Sequence, residues 1–202
     1  VMMSLSTLCW LASRMIPQTR AAAPELRPDR NVLRSTWRLT AELWQDGRLW
    51  RTGMMVSLFW MLGAVVMSLL PPLVKNTLGG TETLASLYLA IFAVAIAVGS
   101  GIGSFLSHGR IVLLPVPVAS AVMGLFALDI AWTIAGLPAE GASAAALWRV
   151  GIDLAGLAIA GGVFIVPAFS AAQAWAPTAI RARMIAAINI LSAALMVAGA
   201  LG

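Results

Sequence analysis

The chain has 202 residues, of which 60% are apolar and only 10% charged, with a mean hydropathy of +0.92 and a formal net charge of +5. A soluble domain carries roughly 25% charged residues, so this composition excludes an ordinary soluble fold and points to a helical membrane protein. The excess of arginine then reads first as loop charge on one side of a membrane rather than as a nucleic-acid surface.

In chain order, residues 1–11 are apolar but too short to span a bilayer core of about 30 Å at 1.5 Å per residue. They lack a basic region and a small-residue cleavage site, so they make a poor signal peptide. The chain opens on Val1 inside this apolar run and closes on Gly202 inside another. It is therefore expected to be a piece of a longer protein, with residues 1–13 the end of a spanning helix.

Residues 14–51 are different material. They hold eight of the thirteen basic residues and four acids, Glu25, Asp29, Glu42 and Asp46. The first part, with Pro17, Pro24 and Pro28, reads as a linker. The second, "NVLRSTWRLTAELWQDGRLWR" over residues 31–51, predicts an amphipathic helix. Leu33, Trp37, Thr40 and Trp44 fall on one stripe, and Arg30, Arg34 and Arg38 on another. Tryptophan on one face and arginine on another suits a membrane surface.

Residues 52–202 then predict five spanning helices, near 53–74, 84–106, 111–137, 146–174 and 184–202. Pro71-Pro72 is expected to close the first, and Pro167 to kink or thin the fourth. Basic residues recur at alternate connections: the 14–51 segment, Arg110 in the 107–110 turn, and Arg181 with Arg183 in the 176–183 loop. Residues 75–83 and 138–143 carry little charge. The positive-inside rule places the arginine-bearing connections in the cytoplasm. The fold class expected is all-α, a polytopic membrane helix bundle.

Charges inside the spans each need a reason. Asp129 lies toward the outer end of the third span. It could contact a cation, a proton or a polar headgroup, or simply reach interfacial water. Arg149 and Asp153, four apart on the fourth helix, share a face and are expected to pair there. Asn189 on the fifth helix is the polar residue best placed to face a cavity, while Ser192 reads as a bond to a neighbouring helix. Gly99 and Gly103, with Ser100 and Ser104, form a small-residue stripe suited to close helix packing, as do Gly156, Gly161 and Gly162.

Enzyme signatures are missing. There is no G-x-S-x-G, Walker loop or paired-cysteine zinc spacing, and Cys9 is alone. His108, the only histidine, is followed five positions on by Leu113, so an H-x4-D acyltransferase signature is absent. No catalytic residue, cofactor or metal is expected.

The turn "GSFLSHGR", residues 103–110, resembles the cytoplasmic loop motif of the major facilitator superfamily, in which glycines and basic residues join two spans. Gly103, Ser107, Gly109 and Arg110 carry the likeness, with the usual acid missing. The long 14–51 segment resembles the linker between the two six-helix halves of that superfamily. The resemblance implies a partial fold running from the end of the sixth helix through the eleventh. A narrower stretch, "AQAWAPTAIRARMIAAINILSAALMVAGAL" over residues 172–201, is similar to the lysophospholipid-transporter branch in its proline, its Arg181-Ala182-Arg183 and its Asn189-containing helix start. "GSGIGSFLS", residues 99–107, looks like that branch too.

That resemblance implies movement of lysophospholipid, mainly lysophosphatidylethanolamine, across a bacterial inner membrane for re-acylation. Its partners would be the lipid substrate, the membrane itself and a fused or associated acyltransferase; nucleic acid is not a partner. Asp129, Arg149, Asp153 and Asn189 are the substrate or coupling candidates. Two other readings stand beside it: an exporter of drugs or metabolites with the same fold, and a membrane anchor for an acyltransferase.

Overall fold

A computed structural model describes residues 2–16, 31–107, 110–138 and 141–201. Among the described residues the chain is helical, with no strand, and five of its helices are long and apolar enough to cross a membrane. Helix α1, Met2–Arg14, has all its described residues exposed.

Helix α2, Val32–Gln45, starts where the Asn31 side chain accepts the amide of Arg34 at 3.0 Å. It ends at Asp46, which at once caps helix α3, Gly47–Pro72, by accepting the amides of Arg48 and Leu49 at 2.9 and 3.2 Å. One residue therefore separates α2 from a helix long and apolar enough to cross a membrane. The inward face of α2 is set by Leu39 and Leu43. The stripe of Trp37 and Trp44 expected to be its apolar face is left 78% and 65% exposed. Arg30 and the side chain of Leu33 lie outside the described residues.

The prolines do not close α3. The rod continues past Pro72 as a π-helical turn, Leu73–Thr77, in which the Leu78 amide reaches back to the Leu73 carbonyl at 3.0 Å. Proline has no amide to donate and crowds the preceding turn; the wider π spacing that follows keeps the backbone bonded without a full stop. Helix α4 is Glu82–Ser107, and α5 is Pro115–Ala135. Helix α5 begins later than the residue 111 expected from hydropathy, because Pro115 supplies the preset φ of a first helical residue. Helix α6, Ala144–Trp175, is capped by Ser143 at 3.2 Å from the Ala146 amide and runs unbroken through Pro167. Helix α7 is Arg181–Leu201.

Helix α6 is the pillar of the bundle. Half of its apolar stretch is buried, against 6% for α5, which stands on the outside. Helix α4 packs along α6 through the predicted small-residue stripe. A Cβ at Gly99 would run into the Ile159 backbone, and one at Gly103 would come within 3.2 Å of the Val163 Cα. Gly162 meets the backbone of Ser100 and Ile96 in the same way, and Gly156 lies under the ring of Phe126 from α5. Without side chains at these points, two backbones approach closely enough for dispersion to act along the seam. Helix α7 packs on α3, where Ser192 Oγ and Ser57 Oγ are 3.0 Å apart and both are buried. This is the interhelical bond expected of Ser192.

Two apolar clusters mark the two ends. Leu43, Leu49, Val56, Ala168, Met184 and Ile188 form one, beside Arg181 and Arg183; Leu70, Val74, Tyr88, Phe92, Val150 and Leu154 form the other. The described arginines of α2, the start of α3 and the start of α7 thus gather at one end of the bundle, as the alternation of loop charge predicts.

Candidate functional site

The arginine-poor end holds the charges that lie within the long apolar helices. In α5, Asp129 lies six residues before the helix end, about 9 Å along the axis. In α6, Arg149 and Asp153 lie five and nine residues in from Ala144, about 8 and 14 Å. Helix α6 is about 48 Å long against a bilayer core of about 30 Å, so these groups lie in the end third of a helix long enough to cross one.

Arg149 does not pair with Asp153. Its guanidinium reaches across to α5 and grips both oxygens of Asp129, Nε to Oδ2 at 2.9 Å and Nη2 to Oδ1 at 2.5 Å. The physical reason is geometric. A planar fork matches a carboxylate bidentately across a helix seam, whereas an i,i+4 partner on the same helix offers one oxygen at an angle. The pair is partly open, the two side chains being 54% and 37% exposed.

Asp153 is the opposite case. It is buried, and its Oδ2 has no hydrogen-bond partner. Asp153 lies one turn beyond Arg149 on α6, so the cluster brings a second carboxylate to the helix face of the Arg149–Asp129 pair. With both carboxylates ionised the cluster would carry one excess negative charge, which a proton or a cationic group can neutralise. Thr133, one turn beyond Asp129 on α5, adds a second buried oxygen without a partner.

Sequence reasoning missed Thr133 and Tyr88. The i,i+4 spacing of Thr133 from Asp129 could have flagged the former. Tyr88, the only tyrosine, donates its hydroxyl to the Leu147 carbonyl at 2.6 Å and packs on Gly151, which braces the turn of α6 that carries Arg149.

Beside the cluster, α3, α5 and α6 enclose an open groove of about 470 Å³. Its walls are aliphatic, among them Val66, Leu70, Ile130, Ile134, Val150 and Leu154, with Asn76 and Thr77 at one end. Val150 and Leu154 each follow one of the charged residues of α6, so the charges and the groove occupy neighbouring faces of the same turns.

The remaining candidates lie elsewhere. Asn189 is exposed on α7 and lines none of the described cavities. Ser107 Oγ donates to the Gly103 carbonyl at 2.8 Å, and the Arg110 amide closes a turn on the Ser107 carbonyl at 2.7 Å. His108 and Gly109 are outside the described residues. Arg183 binds Glu42 at 2.9 Å, tying α7 to α2, and Arg181 donates to the Ala176 carbonyl at 3.4 Å. Among the described residues no group of three or more histidine, cysteine or carboxylate side chains could hold a metal ion.

No protein-family model, curated protein or solved structure matches the chain. The fold class and the site rest on the residues and their geometry.

Proposed function

We propose that the chain is part of a membrane transporter of the major facilitator type that moves lysophospholipid across a bacterial inner membrane. The observation that carries this reading is the adjacency of the aliphatic groove and the Asp129–Arg149–Asp153 cluster at the arginine-poor end. A single-tailed lipid has one apolar chain and one charged head, and it needs both kinds of surface side by side. The groove suits the acyl chain. The guanidinium suits the phosphate, and the unbalanced carboxylate suits an ammonium headgroup. Close, side-chain-free seams between α4 and α6 suit helices that must slide.

The test uses the full-length protein in proteoliposomes with labelled lysophosphatidylethanolamine. Uptake is expected from the wild type. Asp129→Asn and Arg149→Ala are expected to lower it about tenfold or more, the effect of losing one charge-assisted contact of about 1.5 kcal/mol. Wild-type rates in both variants would remove the cluster from the substrate path, and no lysolipid uptake by the wild type would refute the cargo.

A further inference from the structure

We propose that α2 and the first turn of α3 form a docking surface for anionic phospholipid headgroups on the arginine-bearing side of the membrane. Helix α2 has one face committed to the protein. Leu39 and Leu43 pack on Met184 and Ile188 of α7, and Glu42 is held by Arg183 at 2.9 Å. The outer face is not committed. Trp37 and Trp44, seven residues and two turns apart, form a stripe that is 78% and 65% exposed, and the Trp44 ring packs 4.4 Å from that of Trp50 in α3.

Arginines flank this stripe: Arg34 and Arg38 on α2, Arg48 and Arg51 at the start of α3, all exposed. Among the described residues, the two carboxylates of this segment are already engaged. Asp46 caps α3, and Glu42 binds Arg183 closely and Arg38 only at 3.7 Å. Among the described residues Arg34 and Arg48 have no ion-pair partner. The surface therefore carries uncompensated positive charge beside bare indoles.

The occupant follows from position. Only Asp46 separates α2 from a spanning helix, so α2 cannot leave the bilayer boundary. A surface of tryptophan beside arginine, held at that boundary, is complementary to headgroup phosphates above the acyl region. An acidic soluble partner would satisfy the arginines but leave the indoles wet. A phosphate at Arg38 would also release Glu42 wholly to Arg183, so bound lipid would tighten the link between α2 and α7.

The experiment places the full chain in nanodiscs containing one-fifth brominated lipid, either phosphatidylglycerol or phosphatidylcholine, with bromines near the headgroup end of the chains. The fluorescence lost in a Trp37→Phe/Trp44→Phe variant isolates the two indoles. Both lipids are expected to quench them, with brominated phosphatidylglycerol about twofold or more stronger, through local enrichment by the arginines. Arg34→Gln/Arg38→Gln/Arg48→Gln should equalise the two lipids, and the corresponding lysine variant should keep the preference. Inorganic phosphate in the buffer should leave it unchanged. Equal quenching by both lipids in the wild type would overturn the proposal, as would no quenching of Trp37 and Trp44 by either.

Discussion

Replacing Gly99 by alanine tests how α4 and α6 are joined. The added Cβ would sit 2.7 Å from the Ile159 carbonyl carbon and 2.8 Å from its Cα, with the carbonyl oxygen closer still. Ordinary carbon–carbon contact is about 3.5–4.0 Å, so the two helices must separate by nearly 1 Å. The obstacle is backbone, so no rotamer change can relieve it. Overpacking of this kind costs about 1–3 kcal/mol, and a rigid partner puts Gly99→Ala near the upper end.

Two other glycines on the same helix calibrate the effect. A Cβ at Gly103 would meet the Val163 Cα at 3.2 Å, which a small shift can absorb, and one at Gly101 would meet nothing within 4 Å. The expected order of destabilisation is Gly99→Ala, then Gly103→Ala, with Gly101→Ala neutral or stabilising by a few tenths of a kcal/mol. Reversible unfolding in bicelles, followed by tryptophan fluorescence, measures all three. Equal effects at positions 99 and 101 would show that the close approach at Gly99 carries no cost of its own, and would refute the packing described for α4 and α6.

Other outcomes follow from the same structure. Asp153→Leu should leave stability equal or higher, because it removes a buried carboxylate oxygen that has no partner, and the proposed function adds that lysolipid uptake falls; a clear loss of stability in the same unfolding assay would mean that Asp153 is held by a bond of its own. Ser57→Ala and Ser192→Ala should show a coupling energy of about 0.6 kcal/mol in a double-mutant cycle, the usual size for an interhelical bond in a membrane. In a Cys9→Ser background, Thr81→Cys should react with an impermeant maleimide added outside intact cells and Ile111→Cys should not, both positions being exposed at opposite ends of α4 and its following turn. Equal labelling would abolish the sidedness on which the site's position depends.

The sequence by itself determined the class of the molecule, the number of candidate spans and the end at which arginine collects. These properties depend on hydropathy summed over about twenty residues and on loop charge, and both survive without knowledge of neighbours. It also showed the glycine stripe at 99 and 103, because a run of small residues has few uses other than close approach. Tertiary structure decided what pairs with what. Arg149 had a partner four residues away on its own helix and took Asp129 on the next one, since a bidentate grip across a seam satisfies both carboxylate oxygens. Trp37 and Trp44 formed a legible stripe, yet Leu39 and Leu43 turned inward, because the shape of α7 and not the width of the stripe selects the buried face. Asn189 looked suited to a cavity and stands exposed, and Thr133 looked ordinary and has its hydroxyl oxygen buried one turn from Asp129, since the rotation of a uniformly apolar helix about its axis is set by its neighbours and leaves no period in the sequence.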